Sequence, residues 1–222
     1  MCFSATASFT AAAVAGSIGI ATLWKAAGHH DRAILPIAAF PLLFALQQAV
    51  EGLLWLDLAQ PAPGACRPFL THAFLSYAEI FWPVFAPLAA WLIEPVQWRR
   101  RLILMCVIVG GVLSAYLLMK MLGAPYTASA ATGHIVYQNG ISYPKGIEIP
   151  YVLATTISLL LSSHRLIQLL AVVILAGFAV AYVSYNLAYI SVWCFFAAIA
   201  SVIVYLFVSR APQAVGNAPA HP

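Results

Sequence analysis

The chain has 222 residues, of which 64% are hydrophobic and 7% charged, with a formal net charge of +4. A soluble domain carries about 25% charged residues, so this chain cannot build a water-facing surface of ordinary polarity, and lipid is the solvent its composition suits. No basic patch interleaved with aromatic residues is present, which sets aside nucleic-acid binding.

A helix needs about 20 apolar residues to cross a bilayer. The first such run covers residues 5–24. Its start, MCFSATASF, has no basic residues, so it reads as a retained membrane helix and not as a cleaved signal peptide. Lys25, His29, His30, Asp31 and Arg32 punctuate it. The second run, residues 33–56, contains Gln47, Gln48 and Glu51. A Pro-rich loop at 57–68 leads to the third run, 69–93, with His72, Glu79, Pro83 and Pro87 inside it. Glu94 and Arg99 to Arg101 read as an interfacial charge cluster. The fourth run, 102–122, has Lys120 near its end.

Residues 123–150 form the one long polar segment. Within it HIVYQNGISYP alternates apolar and polar residues around Asn139 and Gly140, which predicts a small β-hairpin near 134–143. From 149 to 209 the chain is almost wholly apolar, broken at His164–Arg165 and at Ser184 to Asn186. Three crossings near 149–163, 166–184 and 187–209 fit that length. The expected fold is all-α and integral to a membrane: seven transmembrane helices in one domain, residues 1–209, followed by a disordered tail at 210–222.

Basic residues in short loops set orientation. Lys25, Arg32, Arg99, Arg100, Arg101, Arg165 and Arg210 fall on one side, against Arg67 and Lys145 on the other. The first side is therefore expected to be cytoplasmic, with the N-terminus and the hairpin loop outside.

Ionisable groups within a bilayer cost about 2.5–3.5 kcal/mol each at a helix centre on insertion scales, so each needs a reason. At about 1.5 Å of rise per residue, Glu51, His72, Glu79 and Lys120 all fall in the outer half of the membrane. Gln47, Gln48, Glu51 and Trp55 share one helical stripe, and His72, Ser76, Glu79 and Pro83 another. A short loop makes the second and third helices antiparallel neighbours, so the two stripes are expected to face each other. Glu51, Glu79 and His72 are the candidate catalytic groups. Gln47, Gln48 and Lys120 are the candidate cofactor-binding groups.

Removal of Met1 would leave Cys2 with an amine and a thiol on adjacent carbons, able to chelate a metal or act as a nucleophile. Cys2, His72, Glu51 and Glu79 together suit zinc or another transition metal. His134, Tyr137 and Tyr143 would cover the site. Each residue has a plainer reading: Glu51 pairing with Lys120 or bonding Gln47 and Gln48, Cys2 bridged to Cys66 on the oxidising side, Lys120 snorkelling. Cys106 and Cys194 lie in apolar stretches, as buried thiols do.

The segments MCFSATASF, QQAVEGLLW and VWCFFAA resemble a family of bacterial polytopic membrane proteins with no assigned function, over most of the chain. The matching positions are Cys2, Phe3, Ser4, Gln47, Glu51, Gly52, Trp55, Trp193 and Cys194. The resemblance implies a multi-pass protein of the bacterial inner membrane and carries over no activity. Three functions fit the residues. The first is a metal-binding site or metal-assisted hydrolase open to the outer leaflet, acting on a small molecule or lipid. The second is a proton- or ion-coupled transporter, and the third a sensory or structural protein glued by its polar stripes.

Overall fold

A computed structural model describes residues 4–123, 126–131, 133–138, 144, 146–185, 193, 196 and 200–211. The described elements are α1 (Ala5–Ala27), α2 (Arg32–Leu58), α3 (Arg67–Ile93), α4 (Gln97–Gly123), β1 (Thr127–Ala131), β2 (His134–Gln138), α5 (Glu148–Leu160), α6 (Arg165–Tyr185) and α7 (Ser201–Arg210). Five described helices, α1 to α4 and α6, are long and apolar enough to cross a membrane, while α5 and α7 are shorter apolar helices. Seven crossings were expected. The residues that would complete the last one, and the tail beyond 211, lie outside the described residues.

Local chemistry sets the helix ends. The Ala7 N–H donates to Ser4 Oγ at 3.2 Å, capping α1. Ala33 N–H donates to Asp31 Oδ1 at 2.8 Å, and α2 opens there in a 3-10 turn. Pro68 occupies the first turn of α3, where a missing N–H costs nothing. Between α2 and α3, Arg67 donates from Nε to Asp57 Oδ1 at 2.5 Å and from Nη2 to the Asp57 carbonyl at 2.8 Å, which clamps the loop.

Small residues let the helices approach. A Cβ on Gly19 would lie 2.6 Å from Leu42 N, and one on Gly52 would lie 2.8 Å from Phe9, so α1 lies directly on α2. A Cβ on Gly110 of α4 would lie 1.8 Å from the Pro83 carbonyl oxygen of α3. Pro87 has no N–H to offer that carbonyl, four residues back, and Gly110 fills the space left beside it.

α3 is not a uniform helix. Residues Ser76–Phe81 form a π-helical turn just before Pro83, whose ring would otherwise clash with the carbonyl of Glu79. The carbonyls loosened there are held from outside. Ser114 Oγ of α4 donates to Ile80 O at 2.7 Å, and the Tyr151 hydroxyl of α5 donates to Ala78 O. A second π turn, Leu153–Ile157, lies in α5. Rings of Phe40, Phe44, Trp82 and Phe85 form the aromatic centre of the core, with Phe44 stacked on Trp82 at 4.1 Å.

The hairpin is placed differently from the expectation near 134–143. β2 pairs backwards with β1, with Thr127 opposite Gln138 and Ala131 opposite His134. The chain reverses between Ala131 and His134, where Gly133 has φ +79°, the backbone region that two-residue hairpin turns require. Asn139 and Gly140 lie outside the described residues. Ile135 of β2 is buried with Leu54, Leu70 and Ala128, and Tyr137 stacks on Phe74 at 5.0 Å. The hairpin thus covers the end of α2 and the start of α3.

Candidate functional site

The polar residues of α2 are enclosed: Gln47, Gln48 and Glu51 are each 0% exposed. Gln48 Nε2 donates to Glu51 Oε2 at 3.3 Å. Trp82 Nε1 of α3 donates to Gln47 Oε1 at 2.8 Å. Gln48 Oε1, Trp55 Nε1 and Ser8 Oγ are buried with no hydrogen-bond partner among the described residues. The contacts of Gly52 with Phe9 and of Gly16 with Ala45 put Ser8 at the level of Glu51 and Trp55. An unmet buried polar atom costs about 1–3 kcal/mol, so this layer of α1 and α2 is held at an energetic cost.

The polar residues of α3 form a second group. The π turn carries Glu79, half-buried, and the Tyr126 hydroxyl donates to Glu79 Oε2 at 3.0 Å. The His72 ring meets the Tyr126 ring edge-on, 6.2 Å between centroids. His72 Nδ1 lies 2.7 Å from the Pro68 carbonyl oxygen. A carbonyl only accepts, so Nδ1 carries the hydrogen in this bond. Tyr126, buried just beyond α4, therefore joins His72 and Glu79.

Glu51 meets Gln48 on α2, while Glu79 and His72 meet Tyr126. A π turn changes the period of α3 here. It adds a residue to one turn, so residues on either side of it no longer share the stripe that a regular period gives. Ser76 Oγ is directed to Met121 Sδ of α4 at 3.8 Å, and Pro83 abuts Gly110. Lys120 sets its ammonium 5.4 Å from the Tyr116 ring centre and forms no described ion pair with Glu51.

Among the described residues no three of His, Cys, Asp and Glu stand close enough to hold a metal ion, so Glu51, His72 and Glu79 do not by themselves form the expected zinc-type centre. Cys2 and Tyr143 lie outside the described residues. Cys66 is an exposed free thiol, not half of a disulfide. His134 and Tyr137 stand on β2, in the cover over this end.

Two residues that organise the site gave no signal in the sequence: Tyr126 is one tyrosine in a loop, and Trp82 is one aromatic in an apolar run. Glu94 differs from its expected role. It is 2% exposed and makes no ion pair with Arg99 to Arg101. Its carboxylate accepts from Ser163 N at 2.7 Å, Val96 N at 3.0 Å and Ser162 Oγ at 3.2 Å. Arg99 Nη1 donates instead to the carbonyls of Leu161 and Ser162. Glu94 thereby ties the α3–α4 turn to the α5–α6 turn. Burial pushes its carboxyl up, but these hydrogen bonds outweigh burial and hold it below the usual carboxylate range. The acidic residue followed by Pro95 at a helix end was the available signal.

No curated protein and no solved structure matches the chain. One family model matches residues 1–219, and its description is a family of unknown function. By that match over nearly the whole length, the chain belongs to the DUF6629 family of unknown function.

Proposed function

We propose that this chain is a proton-coupled small-molecule carrier of the membrane, in which Glu79 binds and releases the proton. It crosses seven times, with the N-terminus and hairpin outside and the C-terminus in the cytoplasm; the bias of Lys25, Arg32, Arg99, Arg100, Arg101, Arg165 and Arg210 against Arg67 and Lys145 supports that orientation. Glu51, in its layer with Gln47 and Gln48, is the second protonatable group.

One observation carries the reading: the Glu79 carboxyl sits in a π turn whose carbonyls are held by other helices. Ser114 on α4 and Tyr151 on α5 hold Ile80 O and Ala78 O, and Tyr126 from the hairpin end holds the carboxyl itself. π-Helical turns are rare and frequent at functional sites. A charge inside the bilayer is costly, so gaining or losing a proton at Glu79 changes the energy of that turn. The turn passes the change to α4, α5 and the hairpin. His72 stands beside Tyr126 as the group that would relay the proton from the surface.

Infrared difference spectroscopy of the protein in liposomes tests this. A pH step should produce a carboxyl C=O band that Glu79→Gln removes and Tyr126→Phe shifts. A spectrum unchanged by Glu79→Gln would overturn the role of Glu79. Substrate-driven acidification of proteoliposomes that survives Glu79→Gln would overturn the coupling.

A further inference from the structure

We propose that the start of α4 binds one anionic phospholipid, with its phosphate at Arg100 and Arg101 and an acyl chain along the outward apolar stripe that follows them. This site is separate from the proton-binding group at Glu79 and does not depend on it.

The two arginines have no acid of their own. Arg100 and Arg101 form no ion pair among the described residues. Glu94, the carboxylate nearest in sequence, accepts from Val96 N, Ser162 Oγ and Ser163 N instead. Asp31, in the loop before α2, caps that helix through Ala33 N. Arg99 is engaged by the carbonyls of Leu161 and Ser162. Arg100 is held in place without being neutralised: its Cζ lies 4.3 Å from the Trp91 ring centre, and its Nε is buried with no hydrogen-bond partner among the described residues. The ring face fixes the guanidinium by a cation–π contact, and its N–H donors still lack an acceptor. Arg101, the next residue, is exposed. Adjacent guanidinium groups with no carboxylate suit a phosphate, which takes paired N–H bonds from arginine.

The residues beyond the arginines favour a lipid over a free anion. Trp98, Leu102, Met105, Ile108 and Val112 recur three or four positions apart and are 57, 44, 58, 52 and 68% exposed, so they form one outward stripe of α4. Arg101 stands in the same stripe, three residues after Trp98 and four before Met105. From Leu102 to Val112 the helix rises about 15 Å, half of a hydrocarbon core about 30 Å thick. The apolar stripe therefore has the depth of one leaflet and starts at the arginines. Trp98 marks the boundary, where indole rings collect. A single amphiphile matches both features, with its charged head at Arg100 and Arg101 and its chain along Leu102, Met105 and Ile108. A free phosphate would meet the arginines and leave the stripe unused.

The test is native mass spectrometry of the full chain in detergent micelles that contain equal amounts of dioleoyl phosphatidylglycerol and dioleoyl phosphatidylcholine. The two lipids share acyl chains and differ in net charge. The protein should retain phosphatidylglycerol in preference to phosphatidylcholine, and excess inorganic phosphate should not displace it. One basic residue near an anionic lipid surface contributes about fivefold in affinity, so Arg101→Gln should weaken retention about fivefold and Arg100→Gln with Arg101→Gln about 25-fold. Arg101 is exposed, so its single variant carries the test if the double variant does not fold. Arg32→Gln with Arg210→Gln removes the same charge from α2 and α7 and should leave retention unchanged. Equal retention of the two lipids, an equal loss in the Arg32 and Arg210 control, or displacement by inorganic phosphate would overturn the proposal.

Discussion

Gly110 offers the sharpest test of how α3 is held. An added Cβ there would lie 1.8 Å from Pro83 O and 2.7 Å from Pro83 C, both backbone atoms with no freedom to turn aside. Reaching ordinary contact at 3.4 Å requires α3 and α4 to part by roughly 1.6 Å along that line, within the range where overpacking costs about 1–3 kcal/mol. The same parting stretches the 2.7 Å bond from Ser114 Oγ to Ile80 O, one turn away, past hydrogen-bonding distance. Side-chain bonds between membrane helices contribute about 0.6 kcal/mol on average and about 1.7 at most. Gly110→Ala should therefore destabilise the protein by about 2–4 kcal/mol. Gly111 provides the control on the next residue, because a Cβ there meets nothing within 4 Å. Gly111→Ala should be neutral or should stabilise by up to about 1 kcal/mol through helix propensity. Reversible unfolding of both variants in mixed micelles gives the comparison. Two variants within about 0.5 kcal/mol of each other, a difference ordinary for a surface change, would refute the close approach at Pro83.

Other expectations follow from single bonds. The Glu94 carboxyl is depressed in the folded protein, so the stability it supplies is full above the unfolded-state pKa and is lost as pH falls through the lower folded value. Glu94→Gln should cost about 1–3 kcal/mol near neutrality, since an amide oxygen replaces a carboxylate that accepted three bonds. It should also flatten that acid limb; parallel stability–pH curves for the two proteins would count against the latch. Trp82→Phe removes the 2.8 Å indole bond to Gln47, and a double-mutant cycle with Gln47→Leu should return a coupling of about 0.6–1.7 kcal/mol, where zero coupling would contradict the assignment. Arg67→Ala releases Asp57 from a bond of 2.5 Å, so protease added to the detergent-solubilised protein should cut between residues 58 and 66 faster than in the parent chain. An equal rate would mean the clamp does not order that loop.

The apolar runs were readable because lipid makes one demand on every residue of a crossing. Runs placed at 5–24, 33–56, 69–93, 102–122 and 166–184 correspond to α1, α2, α3, α4 and α6. The hairpin shows what a local pattern leaves out. Asn139 and Gly140 lie outside the described residues, while His134–Gln138 pairs with Thr127–Ala131, a strand of small residues whose alternation is invisible beside β2. At Glu94 a local pattern misled. Nearness in sequence to Arg99, Arg100 and Arg101 suggested a charge cluster, but besides the adjacent Val96 N–H its partners are Ser162 and Ser163, far along the chain.

The sequence by itself determined that this chain is helical and lives in lipid, and it located the costly residues Gln47, Gln48, Glu51, His72 and Glu79, because composition and burial of charge are properties of single segments. Tertiary structure alone decided which of them meet. The π turn before Pro83 shifts the phase of α3, and a phase shift depends on what holds the loosened carbonyls: Ser114 and Tyr151, on helices that no local period could bring to Ile80 and Ala78.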